Sequence, residues 1–76
     1  MNWRKHITSD PEIMLGKAVI AGTRIPVDMI LEKMSYGESI EELIKEYPHL
    51  NQEQIYAALA YAARFIQGEI TYENAS

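Results

Sequence analysis

Apolar positions change period along the chain. From Ala18 to Ile25 the run Ala-Val-Ile-Ala-Gly-Thr-Arg-Ile sets β-branched residues on both sides of an Ala-Gly pair, which predicts a short hairpin turning at Ala21 and Gly22. Gly22 can take the positive φ that most residues resist. Ile25 stands before Pro26 and is biased toward extended backbone, so the second strand should end there. Pro26 then suits the first turn of a helix. Beyond it the period becomes helical. Val27, Ile30, Leu31 and Met34 share one stripe and predict a first helix ending near Gly37. Ile40, Leu43, Ile44 and Tyr47 repeat the spacing in a second helix, closed by Pro48.

Polar residues mark where two of the helices begin. Ser39 with Glu42 makes a capping box, each side chain satisfying a backbone N–H that the first turn leaves unpaired. Asn51 and Gln54 hold the same places ahead of a third helix that should run to about Gln67, before Gly68. This helix is apolar almost all round. Ile55, Leu59, Ala62 and Ile66 form its expected inward stripe; Ala58, Tyr61 and Phe65 widen the arc on one side, Tyr56 and Ala63 on the other. Two readings stand open. The helix is either a central core element wrapped by the others, or its second apolar side meets another subunit or partner, with Tyr61 and Phe65 as contact residues.

Past Gly68, Ile70, Thr71 and Tyr72 suit a strand, and a short isolated strand does not hold itself together in water. The tail is therefore either a frayed end or a segment that adds to a sheet edge, its own or a partner's. In the second case Ile70 and Tyr72 are partner contacts.

With 76 residues the chain is expected to form one domain, 1–76: an extended or hairpin segment over 7–25, a three-helix bundle over 26–68 and a tail over 69–76. A core this small leaves a thin margin of stability. The absence of cysteine excludes disulfides and thiolate-ligated zinc, which leaves helix packing or oligomerisation as support and makes a homodimer the expectation. No run of 18 apolar residues and no export signal is visible, so no membrane association and a cytoplasmic location are expected.

The net charge of −4 is unevenly divided. Residues 1–24 hold Arg4, Lys5, Lys17 and Arg24 against Asp10 and Glu12, a surplus of two positive charges; residues 25–76 hold three basic residues against nine acidic ones. Contact with phosphate should therefore come mainly from the N-terminal third, unless these are scattered solvated charges. Arg4 and Lys5 could reach phosphate from a flexible arm, with Trp3 stacking or inserting, or the terminus could simply fray. Arg24 is the principal candidate, because a guanidinium on a rigid hairpin offers planar bidentate donors; the alternative is an internal salt bridge to Asp28 or Glu32.

Catalysis finds little support in the residues, and no catalytic, metal-binding or cofactor-binding residue is assigned. His6 and His49 lie far apart without ligand spacing. Ser39 serves as a cap with no histidine nearby in sequence to activate it. Gly16 and Gly22 do not make a phosphate-binding loop. Glu41, Glu42 and Glu46 lie away from the apolar stripe of the second helix and read as a solvated face.

The words ITSDPEI, GKAVIAGTRIPV, YGESIEELIKEYPHL and AALAYAA together resemble the bacterial and archaeal family known as domain of unknown function 433, from about Ile7 to Ala63. One departure is Ala18, where proline is expected in many members. The resemblance implies a mainly α fold, with a short N-terminal β-hairpin followed by a three-helix, homeodomain-like helix-turn-helix bundle. It also implies a VapB-type antitoxin beside a PIN-like nuclease toxin. On that footing Arg24 would enter the cluster of acids with which such nucleases hold divalent metal. Read as a helix-turn-helix, the third helix would enter the major groove of double-stranded DNA by its first turn, offering Asn51, Gln52 and Gln54 to adenine. Against this, Glu53 would face phosphate, and Asn51 and Gln54 could simply cap. The alternative is an adaptor that keeps the helix-turn-helix shape and binds only protein.

Overall fold

The computed structural model describes residues 1–68. Along the chain run a 3-10 turn at Trp3–Lys5, strand β1 at Ile7–Ser9, a second 3-10 turn at Met14–Gly16, strand β2 at Ala18–Ile20, and helices α1 at Val27–Ser35, α2 at Ile40–Glu46 and α3 at Gln52–Ile66. The protein is thus mainly helical, with an N-terminal antiparallel hairpin ahead of three helices. The tail, with its expected strand and partner contacts Ile70 and Tyr72, lies outside the described residues. Among the described residues no helix is long and apolar enough to cross a membrane.

The hairpin differs from expectation in its pairing. The chain does reverse at Ala21 and Gly22, with Gly22 at φ 79° and Thr23 N–H bonded to the Ile20 carbonyl at 3.0 Å. The arm beyond the turn, however, gives β2 only the isolated bridge Val19↔Pro26 and an Ile20 N–H bond to the Ile25 carbonyl at 2.9 Å. The regular ladder runs to β1, with Ile7 opposite Ile20, Thr8 opposite Val19 and Ser9 opposite Ala18. Two physical causes favour this partner. Pro26 has no N–H to extend a ladder, and pairing with β1 brings Ile7, 8% exposed, beside the fully buried Ile20 in the core.

That core gathers Ile7, Ile20, Val27, Ile30, Leu43, Leu50, Ile55, Ala57 and Ala58 from both strands, all three helices and the turn before α3. Each large apolar side chain so buried contributes about 1.5–3 kcal/mol. The predicted stripes of α1 and α2 face inward. Val27 and Ile30 are buried on α1, Leu43 is buried on α2, and Leu31, Met34, Ile40, Ile44 and Tyr47 pack around them.

Local sequence sets the helix boundaries. Pro26 takes the N-cap place of α1, one residue before the first turn. Its end is closed by Gly37 at φ 97°, where Gly37 N–H bonds the Met34 carbonyl at 3.0 Å and Glu38 N–H bonds the Lys33 carbonyl at 3.2 Å, the pattern of a Schellman cap. Ser39 and Glu42 form the predicted capping box on α2. Lys33 of α1 reaches Glu46 of α2, and the hydrogen bond between them raises the Lys33 pKa and lowers that of Glu46. Partly exposed pairs of this kind contribute little to stability.

Candidate interaction surfaces

The turn carrying Arg24 is fixed by a side chain as well as by the main chain. The Thr23 hydroxyl donates to the Ile20 carbonyl at 2.7 Å and accepts from Ile25 N–H at 3.0 Å. The half-buried hydroxyl thus ties both ends of a four-residue bend. Arg24 stands exposed on that bend, and among the described residues it forms no ion pair. The expected alternative, a salt bridge from Arg24 to Asp28 or Glu32, does not form. Lys17, arriving from the β1–β2 connection, holds Asp28 at 2.9 Å instead.

The N-terminal arm is neither free nor frayed over Trp3–Lys5. It forms a 3-10 turn lying against α3, where Trp3 meets Tyr61 edge-on at 5.1 Å. Trp3 is therefore engaged in packing, a correction to the expectation that it would stack or insert from a flexible arm. Arg4 lies 4.6 Å over the Trp3 ring, and Lys5 is exposed. Arg4 and Arg64 line one shallow polar cavity with Met1 and Trp3. Lys17 takes no part in it.

At the start of α3, Asn51 Oδ1 accepts from Gln54 N–H at 2.9 Å and Gln54 Oε1 accepts from Asn51 N–H at 2.8 Å. Both side chains satisfy orphan groups of the first turn. Gln52 is exposed and bonds the Tyr56 hydroxyl at 2.8 Å. Glu53 lies 3.9 Å from His6 Nε2. In the first turn of α3, Gln52 is thus an exposed amide that plays no part in the capping box, and it stands beside an acid, Glu53.

The inward face of α3 keeps Ile55 and Ala62 of the expected stripe but is turned away from Leu59 and Ile66. Ile55, Ala57 and Ala58 are fully buried, and Tyr61, Ala62 and Phe65 are half-buried. Leu59 and Ile66, expected to face inward, are 39% and 84% exposed. The reason is tertiary. On a helix apolar all round, periodicity has no unique phase, and the face buried is the one that the Trp3–Lys5 turn, β1, α1 and α2 cover. Tyr61 and Phe65 touch each other at 6.2 Å and, with Leu31, Val27 and Ala62, line an apolar groove of about 230 Å³ between α1 and the C-terminal half of α3.

Leu59 and Ile66, expected on the inward stripe, instead join Tyr56 and Ala63 in one exposed apolar ridge. Their alternating spacing of three and four residues was the available signal. Leu15 escaped the sequence reading; it is 98% exposed at φ 58°, and no sequence signal marks it.

Comparison with known proteins places these features. Residues 7–62 match the family model described as "Protein of unknown function (DUF433)". The chain is 37% identical over 59 residues to the uncharacterized protein y4eO of Sinorhizobium fredii (strain NBRC 101917 / NGR234), an alignment covering 78% of this chain and 27% of that protein. It is also similar to the crystal structure of a DUF433 member protein from Anabaena variabilis ATCC 29413, with a TM-score of 0.77 and 32% identity, over 83% of this chain and 62% of that one. The chain therefore spans about a quarter of the curated relative and less than two thirds of the solved one.

Proposed function

The chain belongs to the DUF433 family, and on that premise we propose that it is a non-catalytic binding module, the antitoxin of a toxin–antitoxin pair whose other member is a PIN-like nuclease. The presentation of Arg24 carries this reading. A guanidinium offers a planar fork of donors matched to carboxylates. Here it projects from a bend that four hydrogen bonds hold in place, so little backbone freedom is lost when a partner binds. The acids with which a PIN-like nuclease holds its metal are a complementary target. Arg24 seated among them would displace or block the ion.

The test uses the full chain and the PIN-like nuclease encoded beside it. Wild-type protein should co-purify with the nuclease and suppress its activity. Arg24→Ala should weaken capture at least tenfold, and Arg24→Lys should recover only part of the loss, because an ammonium lacks the fork. Undiminished inhibition by Arg24→Ala, or the lack of any such neighbouring gene, overturns the proposal.

One observation favours a second reading, operator binding through α2 and α3. Gln52 is exposed on the first turn of α3, where a recognition helix meets base edges. Phosphate contacts would then fall to Arg4, Lys5 and Arg24. Each contact removed should flatten the log–log salt dependence of binding by about 0.9.

A further inference from the structure

We infer that the exposed ridge of α3 is the seam of a homodimer in which the α3 helices of two copies pack antiparallel. The ridge comprises Tyr56, Leu59, Ala63 and Ile66, with Gln52 at its head. At 100° per residue these five positions fall within an arc of about 80°, centred roughly 130° round the helix from the face that Ile55, Ala57 and Ala58 bury in the chain's own domain. Three of them are large apolar side chains left in water, 43%, 39% and 84% exposed at Tyr56, Leu59 and Ile66. Their spacing of four, three, four and three residues is that of a coiled-coil seam, which keeps one stripe facing a partner helix.

Shape and charge select both the occupant and its direction. With a two-fold axis at Leu59, Leu59 meets its own copy, bulky Tyr56 falls opposite small Ala63, and Ile66 falls opposite the aliphatic stem of Gln52. Large thus meets small where Tyr56 faces Ala63, on either side of the central Leu59 pair, as close packing favours. A parallel pair would instead set Tyr56 against Tyr56 and Ala63 against Ala63, giving a clash at one level and a void at the next. Glu53 and Arg64 lie on the same flank at opposite ends of α3. Antiparallel pairing brings Glu53 of one copy to within about 2 Å, along the axis, of the level of Arg64 in the other. Such a contact is isologous and closes on itself, as most homodimers do. Ile66 also borders the groove against α1, so the apolar surface continues beyond the helix pair. The Arg24 bend belongs to the hairpin, and the seam stands independently of the antitoxin reading.

Light scattering on the full chain at about 50 μM should give twice the chain mass of 8.7 kDa, and Leu59→Glu should give the single mass with an unchanged far-ultraviolet circular dichroism spectrum. A second pair of variants keeps the test open if the glutamate perturbs folding. The natural chain has no cysteine, so Leu59→Cys should form a disulfide-linked dimer on mild oxidation, while Ala63→Cys, opposite Tyr56, should not. A wild-type monomer overturns the inference. So does a dimer that persists in Leu59→Glu, or one in which Ala63→Cys cross-links and Leu59→Cys does not. Capture of the nuclease by Leu59→Glu would leave the antitoxin reading intact whichever way the mass falls.

Discussion

Replacing Thr23 by valine keeps the β-branched shape and removes one hydroxyl. That hydroxyl makes two hydrogen bonds, to the Ile20 carbonyl at 2.7 Å and from Ile25 N–H at 3.0 Å, in a half-buried bend. Each such bond contributes about 0.5–1.5 kcal/mol net, so losing both should cost roughly 1–3 kcal/mol. A chain of 76 residues has a total stability of about 4–11 kcal/mol at roughly 0.05–0.15 kcal/mol per residue. The single substitution therefore removes a large share. For a domain of this size each kcal/mol moves the melting midpoint by about 4–8 °C, and a loss near 2 kcal/mol should lower it by roughly 8–16 °C. Thermal melts of the wild type, Thr23→Val and Thr23→Ser followed by circular dichroism decide the matter. Serine retains the hydroxyl and should recover most of the midpoint. A valine variant melting within about 2 °C of wild type would refute the reasoning, and with it the claim that the hydroxyl fixes the bend presenting Arg24.

Two further outcomes follow from the caps and the charges. Asn51→Ala should cost about 1 kcal/mol of stability in urea titrations and Asn51→Asp almost none, because the position works as an N-cap; an alanine variant of undiminished stability would return Asn51 to the pool of base-contacting candidates. On acidification, the Ser39 backbone N–H that bonds the Glu42 carboxylate holds its pKa below the ordinary 4.5, and the bond from Lys33 does the same for Glu46. Their contribution is present above that ordinary value and disappears as pH falls through the lower folded-state values. Glu42→Gln should therefore flatten the acid limb of stability measured between about pH 3 and 7, whereas an unchanged limb would mean that the capping carboxylate titrates as it does in the unfolded chain.

Local chemistry was legible without any structure. The two capping boxes, Gly22 in the turn, Gly37 at the end of α1 and the apolar stripes of α1 and α2 all depend on residues within one or two helical turns of each other, and each was readable from spacing. Arg24 as an exposed cation on a bend was legible for the same reason. The partner of β2 was not. Both Ile7–Ser9 and the arm beyond Thr23 offer β-branched residues, and only the packing of Ile7 beside Ile20 against the helices chooses between them. Nor was the face of α3 legible. A wheel that is apolar on every side gives no phase, so the elements that cover Ala57, Ala58 and Tyr61 decide that Tyr56, Leu59 and Ile66 stay in water. Sequence determined where the helices begin and end, because propensity and capping act over a few residues; tertiary structure decided how the strands pair and which surfaces are left exposed, because both depend on residues distant in the chain.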